Sequence, residues 1–188
     1  MYRCGLVPLT PITCYAAYLY QVLTMSTLTF TLMTQDDFAI FWPTFKAIVA
    51  EQHTYAIDPD ISYEAAYSLW CQVPKATYAV RDSAGELVGS YYLKANAAGP
   101  GSHVCNCGYM VTAAARGKGV ARAMCEHSQQ LARTHDFKAM QFNAVVATND
   151  AAVALWQRLG FSIVGTVPKA YCHAAQGLVD SYVMHKFL

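Results

Sequence analysis

Arg116-Gly117-Lys118-Gly119-Val120-Ala121 is the stretch whose residue types best suit chemistry. Two glycines inside a basic run, just ahead of a long helical pattern, let the backbone approach a ligand closely. The first N–H groups of the following helix have no internal acceptor, and the helix dipole adds positive potential to them. Together they would make a seat for a phosphate or pyrophosphate. Two nucleotide motifs do not fit. The P-loop pattern G-x-x-x-x-G-K-S/T fails because Thr112 holds the first glycine position and Gly119 the hydroxyl position. The dinucleotide pattern G-x-G-x-x-G fails at Arg122, where the third glycine would stand. An ordinary glycine-rich helix start is the alternative reading of the hexapeptide alone.

Asn106 and Asn143 are a second pair of candidates. Each sits in a strand-like run among apolar neighbours, where asparagine is disfavoured and a buried amide needs partners. Both are expected to be half-buried, either bridging strands or facing a ligand. Metal chemistry is not expected. Cys105 and Cys107 have His103 nearby but no second ligand pair, and Glu126-His127 does not complete a zinc motif. Cys125 reads as a small core side chain on a helix rather than an acylated nucleophile.

The elements that must position these residues follow in order along the chain. Thr27–Met33 reads as a strand, and Thr34 caps a helix with Asp36 and Asp37 in its first turn. Pro43 is expected to kink or restart that helix. Ser62–Cys71 reads as a second helix. Thr77–Arg81 and Glu86–Lys94 read as strands joined by the turn Asp82-Ser83-Ala84-Gly85. His103–Val111 is a strand, a long helix follows to about His135, and Lys138–Val146 is the next strand. Asn149 caps a helix with Ala152, Leu155, Trp156 and Leu159 on one stripe, closed by Gly160. Phe161–Val167 and Val179–Phe187 are the last strands. This order predicts one α+β domain with a mixed, mostly antiparallel sheet of about seven strands and about four helices.

The chain has 188 residues, 55% hydrophobic and 13% charged, which suits one core-rich domain and excludes disorder. Thirteen Lys and Arg against twelve Asp and Glu give a net charge of +1, with no basic stripe for nucleic acid. The seven cysteines are odd in number and scattered, which fits reduced thiols in the cytoplasm. From Met1 to Gln35 the only charge is Arg3, but Pro8 and Pro11 break the apolar run. That argues against a signal peptide or a membrane span. Residues 1–24 read as an upstream leader, with the domain running over 25–188.

Two spaced patterns carry a resemblance to the GNAT acetyltransferase superfamily. Arg116, Gly119 and Ala121 fit its pyrophosphate loop Q/R-x-x-G-x-G/A. Asn149, Ala152, Leu155, Trp156, Gly160 and Phe161 fit its element N-x-x-A-x-x-L-Y/W-x-x-x-G-F. Within the superfamily, Ser102–Pro168 is similar to the fungal proline-analogue (azetidine-2-carboxylate) acetyltransferases, through Ser102-His103, Cys105-Asn106, Gly108, Phe142-Asn143 and Thr148-Asn149. The resemblance thins out before Leu93.

The resemblance implies acetyl-coenzyme A as co-substrate. Gly117, Lys118, Gly119, Val120 and Ala121 would meet the pyrophosphate, with charge from Arg116 and Lys118. The strand Tyr109-Met110-Val111 would pair with the pantetheine arm and leave a backbone N–H for the thioester carbonyl, and Asn149 and Trp156 would also face the cofactor, Trp156 chiefly through packing. Asn106 and Asn143 would orient the acceptor and the acetyl carbonyl. Many members carry a Tyr where Trp156 stands, and an indole cannot protonate the leaving thiolate. The strand Val104–Val111 has no carboxylate for a general base, which leaves His103, Tyr91, Tyr92 and His173 as candidates, with an unprotonated acceptor or a water chain as the alternative. The expected function is transfer of acetyl to a small-molecule amine, preferably an amino or imino acid, by direct attack. The alternatives are an acetyl-coenzyme A sensor without turnover and a protein or peptide N-acetyltransferase. A small-molecule amine is the expected partner, without nucleic acid or membrane, and a homodimer is left open.

Overall fold

Three phenylalanines on one helical stripe set the first layer of the fold. The computed structural model describes residues 28–188, so the expectations for residues 1–24 and for Thr27 lie outside the described residues. After strand β1 (Thr29–Leu32), helix α1 (Gln35–Ala50) starts from a capping box. The Asp37 N–H donates to Thr34 Oγ1 at 3.1 Å, and the Thr34 N–H donates to Asp37 Oδ2 at 2.9 Å. Helix α1 runs unbroken through Pro43, contrary to the expected restart. A mid-helix proline costs about 3 kcal/mol. Burying Phe38, Phe41 and Phe45 completely offsets that, at about 1.5–3 kcal/mol for each ring.

Helix α2 (Tyr63–Tyr67), capped by Ser62, continues into a π-helical turn over Ser68–Gln72. Strands β2 (Ala76–Arg81), β3 (Leu87–Ala95) and β4 (Val104–Val111) follow, then α3 (Val120–Thr134), β5 (Ala139–Val146), α4 (Asp150–Arg158), β6 (Ser162–His173) and β7 (Gly177–Phe187). Among the described residues seven strands form one sheet in the order β1-β2-β3-β4-β5-β7-β6, with four α-helices, as expected from the sequence. Strand β6 outruns its expected end at Val167. Pro168 and the register shift between Val167 and Tyr171 are accommodated because β6 is the edge strand.

Every strand pair is antiparallel except β4 with β5, whose parallel pairing requires the α3 crossover between them. Helix α1 packs with Trp70 and Met110 on one face of the sheet. Helices α3 and α4 bring Cys125, Ala132 and Trp156 against Leu93, Cys105, Cys107 and Phe142 on the other face. No helix among the described residues is long and apolar enough to cross a membrane.

Gly108 is required by close packing. A Cβ built there would stand 2.6 Å from Tyr92 Cε1, because the Tyr92 ring lies over the glycine. Gly108→Ala should therefore displace Tyr92 and destabilise the fold by about 1–3 kcal/mol in urea unfolding. An unchanged midpoint would mean that the ring moves freely.

Candidate active site

Strands β4 and β5 pair only at Val104 with Ala139 and Cys105 with Met140, then part. The β3–β4 ladder shows which backbone groups this exposes. The Asn96 N–H donates to the Val104 carbonyl at 2.8 Å, and the Thr112 N–H to the Val88 carbonyl at 3.0 Å. Antiparallel pairs alternate, so even-numbered residues of β4 direct their backbone groups at β3 and odd-numbered ones at β5. Beyond Cys105 the N–H groups of Cys107, Tyr109 and Val111 therefore face the gap. Both Met110 and Val111 line the cleft, but the Met110 backbone is turned to β3 opposite Ser90 and its side chain is buried against α1.

Asn106 sits where the strands separate. Its Nδ2 donates to the Gln141 carbonyl at 2.8 Å, and its Oδ1 accepts from the Tyr92 hydroxyl at 3.1 Å. Its side chain is buried and joins three strands. Asn143 differs from the expected half-buried state and is exposed at the cleft. The register shift between Phe142 and Val145 is the reason, since the extra residue turns Asn143 out of the regular alternation. Its Nδ2 donates to Asn96 Oδ1 at 2.7 Å, and its Oδ1 accepts from Gln141 Nε2 at 2.9 Å.

At the far end of β4 the loop reaches α3 through Gly117 (φ +77°) and Gly119 (φ +81°), left-handed conformations that favour glycine. The first intrahelical bond is from the Ala123 N–H to the Gly119 carbonyl, so the N–H groups of Val120, Ala121 and Arg122 precede the ladder. The Lys118 N–H turns back to the Ala115 carbonyl at 3.3 Å, leaving Lys118 to contribute only its exposed side chain. The Arg116 guanidinium lies 3.5 Å from the Glu51 carboxylate. Asn149 caps α4 by accepting from the Ala152 N–H at 3.2 Å, which leaves its Nδ2 free for the cleft. Trp156 is nearly buried between Tyr109 and Phe142, with ring centroids 5.2 Å from each.

Asn106, Tyr109, Val111, Arg116, Ala121, Asn143, Asn149 and Trp156 border one continuous cleft of about 790 Å³, whereas Gly117, Lys118, Gly119 and Val120 of the predicted loop do not line it. Residues of the α1–α2 loop that carried no motif signal also enter it: Glu51, His53 and Tyr55. The Tyr55 hydroxyl donates to the Tyr109 carbonyl on the open edge of β4 at 2.7 Å. His53 stacks on His173 at 4.6 Å, and His173 Nδ1 accepts from the Ala175 N–H at 3.1 Å. Of the four base candidates, only Tyr92 and His173 reach the cleft. His103 is exposed near the start of β4, and Tyr91 is buried on the α3 side against His127.

Burial sets the ionisation of this wall. It raises the Tyr92 phenol, with the Cys107 thiol beside it, to about 12. It raises Tyr55 well above its ordinary value, with Tyr92 adding to the effect. Both phenols are therefore neutral donors at neutral pH and cannot act as bases. The Cys107 thiol is likewise held well above its ordinary value by burial and by Cys105.

The residues present fit a thioester cofactor with a pyrophosphate. A strand edge with free N–H groups leads to a helix N-terminus. The Thr148 hydroxyl, on the cleft wall between β5 and α4, is the one buried side-chain polar atom among the described residues without a hydrogen-bond partner.

Such a parted sheet, open at one strand edge and ending at a glycine-lined helix start, is the frame of an acyl-coenzyme A transferase. A family model for the acetyltransferase (GNAT) family matches residues 38–161, and the chain belongs to that family. It is 37% identical over 98 residues to N-acetyltransferase aca1 of Schizosaccharomyces pombe. That match covers 52% of this chain and 47% of the relative, so it spans about half the length of the curated protein. Among solved structures, a GCN5-related N-acetyltransferase from Kribbella flavida is 43% identical, with a TM-score of 0.81, covering 86% of this chain and 98% of the other. The fold is shared with a phosphinothricin acetyltransferase from Sinorhizobium meliloti, solved in complex with acetyl-coenzyme A. That protein is 17% identical, with a TM-score of 0.75 over 86% of this chain and 89% of the other.

Two substitutions separate structure from function. Asn106→Ala removes a buried amide and leaves the Tyr92 hydroxyl and the Gln141 carbonyl without their partner, which should cost about 1–3 kcal/mol of stability in urea unfolding. Asn143→Ala, at an exposed position, should stay within about 0.5 kcal/mol. Equal costs would refute the distinction drawn from their surroundings. Thr148→Val keeps the shape but removes an unpaired hydroxyl, so the free protein should melt no lower than the parent. Coenzyme A affinity, measured by calorimetry, should fall by roughly fivefold or more, the equivalent of about 1 kcal/mol for one hydrogen bond. A lower melting temperature with unchanged affinity would show that the hydroxyl is satisfied within the fold.

Proposed function

We propose that this chain transfers the acetyl group of acetyl-coenzyme A to the amine of a small molecule, preferably an amino or imino acid, by direct attack. The observation that carries the reading is the parting of β4 from β5 between an N–H-lined seat and an aromatic pocket. In this reading the N–H groups of Val120 and Ala121, reached through Gly117 and Gly119, hold the pyrophosphate, with Lys118 supplying charge beside the Arg116 that Glu51 already pairs. The open edge at Tyr109 and Val111 pairs with the pantetheine arm and offers an N–H to the acetyl oxygen. One such preorganised donor is worth about 3 kcal/mol in other enzymes. Thr148 and Asn149 border the arm, and Trp156 packs beneath it. Acetyl-coenzyme A supplies the acetyl group as a thioester.

On the acceptor side, Tyr55, Trp70 and Tyr92 form an aromatic wall. The amine must lose a proton on acylation. Tyr55 and Tyr92 are already protonated, and His173 Nδ1 is engaged by a backbone N–H. His53 is the imidazole left to receive that proton, directly or through water. Direct attack is favoured over a cysteine-linked route because Cys107, at the cleft, is held as a thiol by burial. The acceptor end is tied down where the Ala174 N–H donates to the Gln52 carbonyl and the Tyr171 hydroxyl to the Tyr55 carbonyl, each at 3.3 Å. That closure favours a small acceptor over a peptide. We further place the protein in the cytoplasm, which suits the free thiols of Cys71, Cys105, Cys107, Cys125 and Cys172.

The test follows thiol release from acetyl-coenzyme A against azetidine-2-carboxylate, proline analogues, simple amines and a lysine peptide. Release should be fastest with the small cyclic imino acids. It should fall about 100-fold in Asn143→Ala while coenzyme A binding is kept. Tight acetyl-coenzyme A binding with no release on any acceptor would replace this reading with a sensor. Preferred release with the lysine peptide would replace it with a peptide acetyltransferase.

A further inference from the structure

The charged side chains of the cleft do not cancel. Apart from its two histidines, the cleft is lined by Glu51, Lys94 and Arg116. Glu51 and Arg116 face each other across 3.5 Å, and no carboxylate among the described residues pairs with Lys94. Lys94, a half-buried lysine, therefore remains without a carboxylate partner beside the wall formed by Tyr55, Trp70 and Tyr92. Its Nζ lies 5.4 Å from the centroid of the Tyr92 ring, and that ring covers Gly108 on β4.

Position along the sheet says which ligand this cation would meet. Lys94 pairs across the ladder with Asn106, so its side chain shares a face with Asn106 and with Tyr92. Asn106 stands where β4 and β5 part, and the pyrophosphate seat begins only after Thr112. Six residues of strand separate the two, about 20 Å. Lys94 is thus too far from the α3 N-terminus to serve the pyrophosphate. It is three strand residues, about 10 Å, from the open edge at Tyr109, and its side chain shortens that gap. The span suits a small molecule whose amine lies at the open edge and whose anion lies one or two bonds away.

We propose that Lys94 is the specificity-determining residue of the acceptor site, pairing with a carboxylate next to the reacting amine. This rests on the acetyltransferase reading and deepens it by giving the acceptor's second charge a place in the cleft. The Tyr92 ring, 5.4 Å from Nζ, steadies the ammonium when no anion is bound. The uncompensated positive charge also disfavours polyamines and other cationic acceptors. The acidic residues Asp58, Asp60 and Glu64 do not line the cleft and cannot reverse that preference.

The test compares azetidine-2-carboxylate with its carboxamide, and proline with prolinamide, in the parent, Lys94→Met and Lys94→Arg. Lys94→Met should lower kcat/KM for the carboxylates at least tenfold, chiefly through KM, and change the carboxamides less than threefold. Lys94→Arg should recover most of the carboxylate preference. Calorimetric binding of azetidine-2-carboxylate to the coenzyme A-bound protein should weaken in parallel, so the proposal can be read even without turnover. Thermal melting of each variant checks that it folds. Equal losses for carboxylate and carboxamide, or unchanged carboxylate binding in folded Lys94→Met, would overturn the proposal. Absence of turnover with Lys94-dependent carboxylate binding would overturn the enzyme reading alone.

Discussion

The site depends on one buried amide. Asn106 accepts a hydrogen bond from Tyr92 on β3 and donates one to Gln141 on β5, one step past the last β4–β5 pair. Two strands that start parallel would otherwise either continue pairing or drift apart without definition. The amide bridges them at the first position where the backbones can no longer reach each other. Because the group is buried, losing either partner costs more than the bond itself contributes, so the fork is held at a defined place. An open strand edge is ordinarily a liability for a protein. Here it lies inside a cleft with helices on both faces.

Topology then supplies the second half of the site. A parallel neighbour demands a crossover, and α3 is that crossover. Its N-terminus must follow the C-terminal end of β4, beside the edge that the fork has opened. The left-handed Gly117 and Gly119 let the chain turn there without blocking the first N–H groups. The open edge and the anion seat thus follow from the same connection.

Local signals in the sequence were enough to read these parts. The glycine-lined helix start, the Asn149 cap and the alternation of strands and helices depend on neighbours a few residues apart. Features set by distant contacts were not legible. Glu51, His53 and Tyr55 come from an irregular loop, and nothing in their spacing shows that β6 and β4 will fix that loop over the cleft. The continuity of α1 through Pro43 depends on the aromatic packing beneath it. The exposure of Asn143 follows from a bulge in β5 that the strand pattern does not announce. The strand Tyr109-Met110-Val111 was legible as a unit, whereas the parity of the ladder decides that the amides of Tyr109 and Val111 face the gap.

Trp156 completes the geometry of the fork. Its indole touches Tyr109 of β4 and Phe142 of β5 equally, so α4 wedges the two strands apart below the point where Asn106 ties them. A tyrosine in its place would offer a proton to a departing thiolate but fill less of the space between the strands. Thiols titrate near 8.5, so a thiolate leaves without much assistance, and general acid help of about 10²- to 10⁴-fold is dispensable before the positioning of the thioester is. In the proposed reaction, with the buried phenols on the opposite wall fixed as neutral donors, aperture and hydrogen-bond placement would matter more than proton supply. A bulky indole at the base of the fork is consistent with that priority.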